Sequence, residues 1–290
     1  MRRWIVVLVA LALIGAACET PYVNPIGNSP LRYRDEIFAQ TAVTKDIAYG
    51  SAVDQQGVTK TLLLDMYTPV GDTLTARPAI VWVHGGAFRS GDKSSVVLVQ
   101  EARTFTRMGY VSISINYRHV NGGCTENYTR PSCVKAMVDA QHDAQASIRF
   151  LRANAASYGI DPTRIAIKGV SAGAITALHV GFNSDNPGTS GTPEQPSDVR
   201  AAVSLSGAKR IGTANTGDAP SLLLHGTLDG IIPYQWAVET FDEAEAAQLS
   251  TYLTSFEGSG HAPYAEHSTE MFEQTRNFFF WEMNLVAAAK

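Results

Sequence analysis

Short apolar runs alternate with helix-length segments along most of the chain, and this alternation constrains the fold more than any other feature. The runs 79–83 and 221–224 are apolar almost throughout, as expected of strands buried on both faces. Strands alternating with helices predict an α/β fold with a largely parallel sheet. We predict strands at 61–67, 79–83, 111–116, 165–168, 201–205, 221–224 and 251–256, and helices at 94–108, 134–158, 172–182, 234–249 and 269–283.

The alternation predicts one domain over residues 44–290, preceded at 19–43 by a proline-punctuated arm or tether. Hydrophobic residues make up 45% of the chain and charged residues 17%, which supports a large core and excludes general disorder. Lys and Arg number 23 against 27 Asp and Glu. Nucleic acid is therefore not an expected partner, because a surface that follows phosphates carries a basic excess.

Residues 1–18 differ from the rest and predict a secretory signal. Two arginines precede the apolar run 4–17, which is shorter than the about 20 residues that a membrane-spanning helix needs. The run ends at Cys18 in a sequence similar to the bacterial lipobox, in which the cysteine receives a lipid. We expect an exported protein, either a cell-envelope lipoprotein or a periplasmic or secreted one, whose membrane contact is a lipid on Cys18. The alternative is ordinary cleavage near Ala17 with an incidental cysteine.

Cys124 and Cys133 bracket a short polar loop that offers little apolar cover to a free thiol. In an oxidising compartment the pair predicts a disulfide, which stabilises by about 2–3 kcal/mol through loop entropy. The alternative is two unpaired thiols.

The pentapeptide Gly169-Val170-Ser171-Ala172-Gly173 fits the G-x-S-x-G pattern, and its surroundings make it informative. It follows the apolar run 165–168 and opens a predicted helix. A chain that turns from strand to helix within two residues strains the serine and exposes its hydroxyl, and side chains at positions 169 and 173 would collide with backbone. We predict that Ser171 is a nucleophile; the alternative is a tight turn with an ordinary serine.

A glycine-rich loop, His84-Gly85-Gly86-Ala87-Phe88, follows the predicted strand 79–83. Glycine allows bare N–H groups to approach a ligand. We predict that the N–H groups of Gly86, Ala87 and Ala172 form an oxyanion hole, in which one donor lowers the barrier by roughly 3–4 kcal/mol. A His-Gly-Gly loop is common, and only its pairing with the strand-to-helix turn at Ser171, the nucleophile elbow, is informative.

The position of each residue relative to its strand selects the base and the acid. His261 follows the predicted strand 251–256 and Asp229 follows 221–224, at the carboxyl ends where groups gather in parallel sheets. Asp218 precedes its strand, and His267 lies further on, at the start of a helix. We predict His261 as the base and Asp229 as the acid, which completes the order Ser…Asp…His.

His84-Gly-Gly-Ala87, Gly169-x-Ser171-x-Gly173, Asp229 and His261 together resemble the HGG-type carboxylesterases of the α/β-hydrolase fold. These include hormone-sensitive-lipase-like and feruloyl-esterase-like enzymes, and the resemblance covers about residues 44–284. It implies a mostly parallel central sheet flanked by helices on both faces. Ala87 stands where many members have a third glycine, and no large cap domain is expected, so the site should be open.

The resemblance implies a serine hydrolase that cleaves a small-molecule ester through an acyl-enzyme. Ser171 would attack, His261 would accept its proton and Asp229 would orient the imidazole. We expect no cofactor and no metal, because the sequence has no H-E-x-x-H, Cys/His cluster or dinucleotide motif. Phe88, Tyr117 and Tyr128 are expected to bind the substrate.

Two other functions use the same residues or the same fold. One is a serine peptidase of the prolyl-oligopeptidase or acylaminoacyl type, whose members usually carry a large propeller domain. The other is a non-catalytic binding protein on a hydrolase fold, which typically lacks a member of the triad. Fold alone does not separate these functions.

Overall fold

The computed structural model describes residues 22–125 and 127–289. The predicted signal segment 1–18 and the predicted lipid site Cys18 lie outside these residues. In the described part of the chain, no helix is both long enough and apolar enough to cross a membrane.

The described residues form an eight-stranded sheet flanked by helices. The strands are β1 (Thr41–Val53), β2 (Thr59–Pro69), β3 (Arg77–Val83), β4 (Val111–Ile115), β5 (Ile160–Val170), β6 (Ala202–Leu205), β7 (Ser221–Gly226) and β8 (Thr251–Phe256). The helices are α1 (Val96–Arg107), α2 (Pro131–Ala153), α3 (Ala155–Tyr158), α4 (Ala172–Phe182), α5 (Tyr234–Ala246) and α6 (Tyr264–Glu282).

The strand order is β1-β2-β4-β3-β5-β6-β7-β8. From β4 to β8 the neighbours pair in parallel, whereas β2 pairs antiparallel with both β1 and β4. The predicted α/β-hydrolase fold with a mostly parallel central sheet is confirmed.

The apolar core lies on both faces of the sheet, and β3 shows why its sequence is apolar throughout. Ile80 and Trp82 belong to one buried cluster with Phe105 of α1 and Phe279 of α6. The alternate residues Ala79, Val81 and Val83 belong to a second cluster that includes residues of α2 and α4. Successive side chains of a strand point to opposite faces, so a strand covered on both sides has no polar alternation.

The first strand and the N-terminal arm differ from the sequence-based expectation. β1 was not predicted, and it begins at Thr41, so the predicted boundary between residues 43 and 44 falls inside a strand. The described part of the arm packs against the domain: Tyr33 is fully buried, and the Tyr22 ring contacts the edge of Phe278 at 5.3 Å.

Two helix boundaries also differ. The predicted helix 134–158 starts earlier, at Pro131, and is interrupted at Asn154, where α3 follows as a separate turn. The last helix begins at Tyr264 and not at residue 269, with a kink at His267. Proline suits the first turn of a helix because it has no N–H that needs an acceptor.

The parallel strands place the ends of β3, β5, β6, β7 and β8 at one edge of the sheet. The segments that follow these strands carry Ser171, Asp229 and His261, and also the residues of the predicted oxyanion hole. Groups that are distant in sequence are thus brought to one rim, as expected for open α/β sheets.

Candidate active site

Ser171 occupies a strained turn between β5 and α4. Its backbone has φ 57° and ψ −121°, a conformation that residues with a side chain rarely adopt. The two glycines are required by space: a Cβ at Gly169 would lie 2.0 Å from the Gly173 carbonyl oxygen, and one at Gly173 would lie 2.2 Å from that of Val83. The predicted elbow is present, with the Ser171 side chain half-buried at its apex.

The loop after β3 lies directly beside this elbow. A Cβ added to Gly85 would be 3.2 Å from the Cβ of Ser171. Among the described residues, the N–H groups of Gly86 and Ala87 donate no hydrogen bond. Ala172 is the first residue of α4, where helical N–H groups have no partner within the helix. These three amides are therefore available to an anionic oxygen near Ser171.

His84 supports this loop from within. Its Nδ1 lies 2.7 Å from the Gly85 carbonyl oxygen, and its ring stacks on Tyr117 at 4.5 Å between centroids. The Tyr117 hydroxyl donates to the His84 carbonyl oxygen at 3.0 Å. Burial lowers the pKa of His84 to about 4, so the ring is neutral at pH 7 and braces the loop without carrying charge.

Asp229 and His261 are joined by a hydrogen bond of 2.7 Å between Oδ2 and Nδ1. The other carboxylate oxygen accepts the backbone N–H groups of Ile231 and Ile232 at 2.8 and 2.9 Å. Burial would raise the pKa of Asp229, but hydrogen bonds from His225, His261 and these two amides hold it well below its usual range. Asp229 is thus an anion that holds the imidazole through Nδ1 and leaves Nε2 outside this hydrogen bond.

The serine and the histidine are connected through β6 and are not bonded to each other. Among the described side chains, no hydrogen bond joins Ser171 to His261. The Ser171 N–H donates to the Leu205 carbonyl oxygen at 2.9 Å, and the adjacent Ser206 hydroxyl accepts the N–H of Ala262 at 2.9 Å. Catalytic hydrogen bonds are often open in the absence of substrate.

His225 is a site residue whose contact the sequence did not reveal. Its Nε2 lies 2.9 Å from the Ile232 carbonyl oxygen and 3.2 Å from Asp229 Oδ2. Because both neighbours are acceptors, Nε2 carries the proton and the buried ring supports Asp229 as a donor. The sequence signal was only its position at the end of a strand, four residues before the acid.

The alternative base and acid lie elsewhere. His267 stacks on Phe256 and places Nε2 3.1 Å from the Ser259 hydroxyl, with no contact to Asp229 among the described residues. Asp218 accepts the N–H of Asn215 at 2.7 Å, before β7 begins. Neither joins the cluster at the carboxyl edge.

The three expected substrate residues differ in their exposure. Phe88 is fully buried in the core, so the prediction that it contacts substrate is wrong. The reason is the left-handed backbone at Ala87 and Phe88, with φ 52° and 57°, which carries the ring into the core. Tyr117 is 4% exposed and uses its hydroxyl to hold His84. Tyr128 is buried beside Trp236, at 5.2 Å between centroids, and its contact with substrate stays a prediction.

The predicted disulfide between Cys124 and Cys133 is present in the structure. Both cysteines are buried in the larger apolar cluster. Among the described residues, no group of three or more His, Cys, Asp or Glu side chains could hold a metal ion.

Comparison with known proteins finds esterases and lipases to which this chain is similar. A family profile described as BD-FAE matches residues 64–215. The chain is 31% identical to Lipase 1 of Geotrichum candidum over 148 residues. This aligned segment covers 49% of this chain and 25% of that lipase. It is 29% identical over 190 residues to the chlorogenic acid esterase of Aspergillus niger, covering 63% of this chain and 33% of that enzyme. The chain thus spans a quarter to a third of these relatives.

Solved structures share the fold over nearly their whole length. A truncated carbohydrate esterase from gut microbiota superposes with a TM-score of 0.67 at 20% identity, covering 86% of this chain and 98% of that one. Thermogutta terrifontis esterase 2 superposes with a TM-score of 0.68 at 22% identity, covering 86% of this chain and 97% of that one. At these identities the likeness concerns the fold.

Proposed function

The chain belongs to the BD-FAE family, and we propose that it hydrolyses carboxylic esters of small molecules through an acyl-enzyme on Ser171. The observation that carries the proposal is the 2.7 Å bond between Asp229 Oδ2 and His261 Nδ1 at the edge of the sheet where the elbow exposes Ser171. The names of the relatives, which include lipases and a chlorogenic acid esterase, support an ester substrate.

In the first half of the reaction, Ser171 Oγ attacks the ester carbonyl carbon while its proton passes to His261 Nε2. The carbonyl oxygen becomes negative and accepts hydrogen bonds from the N–H groups of Gly86, Ala87 and Ala172. The bond to the alcohol oxygen then breaks, and His261 returns its proton to the departing alcohol. Asp229 stays ionised and stabilises the imidazolium.

In the second half, water takes the place of the alcohol. His261 accepts a proton from this water as its oxygen attacks the acyl carbon, and the same amides stabilise the second negative oxygen. The bond to Ser171 Oγ breaks, His261 returns the proton to Oγ, and the carboxylic acid leaves.

The experiment compares an ester with an amide on the purified chain. We expect turnover of p-nitrophenyl acetate and at least about a thousandfold lower kcat/KM on an aminoacyl p-nitroanilide, with Ser171→Ala losing the ester activity. Preference for the anilide would favour the peptidase. No turnover of any activated ester would favour the binding protein.

We also propose that the protein is exported and carries a lipid on Cys18. The buried Cys124–Cys133 disulfide supports an oxidising compartment. Expression in a bacterial host with processing of residues 1–17 would place the wild type in the membrane fraction and a Cys18→Ser variant outside it. Equal partitioning of the two would contradict the lipid.

A further inference from the structure

The oxyanion loop is held in a backbone conformation that its residues do not favour. Gly86, Ala87 and Phe88 all have positive φ, at 120°, 52° and 57°. Glycine adopts such angles readily, but alanine and phenylalanine rarely do, and such residues persist only where the surroundings hold them. Two of the proposed oxyanion amides belong to this stretch, so their direction depends on whatever holds it.

Hydrogen bonds from residues 120–124 hold the loop on its carbonyl side. The Cys124 N–H donates to the Ala87 carbonyl oxygen at 2.8 Å, and the Val120 N–H donates to that of Phe88 at 2.8 Å. Each peptide unit is planar, so fixing these two oxygens fixes the planes of the 87–88 and 88–89 peptides. The Ala87 N–H belongs to the preceding 86–87 peptide, whose oxygen accepts the N–H groups of Arg89 and Ser90 at 3.0 and 3.1 Å, so the peptides on both sides of Ala87 are held.

Gly123 brings the same segment against the loop. A Cβ at this position would lie 2.7 Å from the Ala87 carbonyl oxygen and 2.8 Å from the Arg89 side chain. Its neighbour Gly122 has the same kind of backbone, with φ 80° against 64°, but a Cβ there would meet nothing within 4 Å. The close approach is therefore specific to one of two adjacent glycines.

The disulfide attaches this segment to a long helix. Cys124 ends the segment, and Cys133 lies in the first turn of α2, which packs against the sheet. The Arg130 side chain adds a hydrogen bond to the Gly123 carbonyl oxygen. Among the described contacts, the disulfide is the covalent link between Cys124 and α2 besides the chain itself.

We propose that the Cys124–Cys133 disulfide is a positioning element for the oxyanion hole, so that the rate of ester hydrolysis depends on this bond. This inference rests on the proposed function, since it assigns a role to the loop that would stabilise the anionic oxygen. Reduction leaves Ser171, His261 and Asp229 in place but allows the N–H groups of Gly86 and Ala87 to move. The expected signature is a lower kcat with little change in KM, because the donors act on the transition state.

The glycine pair gives a test in which the disulfide stays intact. Gly123→Ala should lower kcat for p-nitrophenyl acetate by roughly 10- to 100-fold, less than the 10²–10³ for complete loss of one donor. Gly122→Ala has the same cost of placing alanine at a positive φ, but its side chain does not contact the loop, so kcat should stay within about twofold. Both should retain the wild-type acid limb of the pH profile, because neither touches His261. Equal kcat in the two variants would overturn the inference.

Reduction supplies the second test. The double variant Cys124→Ser/Cys133→Ser, and the wild type after anaerobic treatment with dithiothreitol that intact mass shows to have reduced the disulfide, should show the same fall in kcat at a temperature where circular dichroism shows both folded. Hydrogen exchange of the peptide that contains residues 84–92 should become faster. Unchanged exchange and unchanged kcat would overturn the inference.

The exchange measurement separates this inference from the proposed function. An inactive wild type whose loop exchanges faster after reduction would contradict ester hydrolysis and still support the coupling of disulfide and loop. An active wild type whose kcat and hydrogen exchange are both unchanged by reduction would contradict only the coupling between the disulfide and the oxyanion loop.

Discussion

The Ser206 hydroxyl accepts the backbone N–H of Ala262 at 2.9 Å and so ties the end of β6 to the loop that carries His261. Ser206 is fully buried and has a left-handed backbone, with φ 54°. Its neighbour Leu205 accepts the N–H of Ser171 at 2.9 Å. The last residue of β6 and the residue that follows it therefore set the relative position of the serine and the histidine.

Ser206→Ala should lower kcat for p-nitrophenyl acetate by between about 3- and 100-fold. The His261 loop loses its hydrogen bond to β6, and a small displacement of the catalytic base reduces the rate strongly. Stability should fall by about 1–2 kcal/mol, since the Ala262 N–H loses its acceptor. Kinetics and thermal unfolding on the same preparation would measure both.

Ser221→Ala is the matched control for this variant. Ser221 is also a fully buried serine whose hydroxyl makes a hydrogen bond, at 2.7 Å to the Thr251 hydroxyl, but it begins β7 at the other end of the sheet. It should lose similar stability and keep the wild-type kcat. If both variants lose activity equally, Ser206 has no positioning role.

His225→Phe should reduce kcat by roughly 10-fold or more, because the Asp229 carboxylate loses a buried donor and holds His261 less firmly. Removing that donor should also raise the pKa of Asp229 toward its ordinary value. Steady-state kinetics between pH 5 and 8 would measure the loss. A His225→Phe enzyme as active as His179→Gln, which changes another fully buried histidine, would contradict a role at the site.

The buried His179 should make the free energy of unfolding depend on pH. Its Nε2 accepts the N–H groups of Arg210 and Ile211 at 2.9 and 3.3 Å, so the folded state needs the ring neutral there. Burial, followed by the charges of Lys209 and Arg210, lowers the pKa of His179 to about 3, whereas in the unfolded chain it is about 6.5. Below about pH 6.5 the unfolded state thus binds more protons, and stability is lost as the pH falls from there toward 3.

The measurement for this prediction is the free energy of unfolding by urea between pH 7.5 and 4.5 for the wild type and His179→Gln. The glutamine oxygen can accept the same amides and does not titrate, so the variant should lack a slope of up to about 1.4 kcal/mol per pH unit. Parallel curves for the two proteins would show that His179 does not cause the acid sensitivity.

The strands β3 and β6, which are buried on both faces, could be predicted to within one or two residues from their apolar runs. Of the two edge strands, β8 has the predicted bounds and β1 was not predicted. β1 alternates between half-buried and exposed positions, and its register is interrupted by two bulges. Lys45 and Asp46, the latter with φ 57°, fall in its middle, so neither a clean alternation nor an apolar run marks it.

The site could be predicted as far as topology decides it. Parallel strands place Ser171, Asp229 and His261 at one edge, and this follows from the order of strands and loops. The contacts of Ser206 and His225 join residues through packing that no local pattern encodes. The error at Phe88 has the same origin, because a turn held by residues 120–124 decides which way its ring points.

The measurement that tests the central claim most directly is the reaction with paraoxon, followed by peptide mapping. The account predicts release of one p-nitrophenol per chain, a single diethylphosphoryl group on the peptide that contains Ser171, and complete loss of ester hydrolysis, with labelling slowed by at least about a hundredfold in His261→Ala. Ester hydrolysis that survives complete labelling, or a label on any residue other than Ser171, would contradict it.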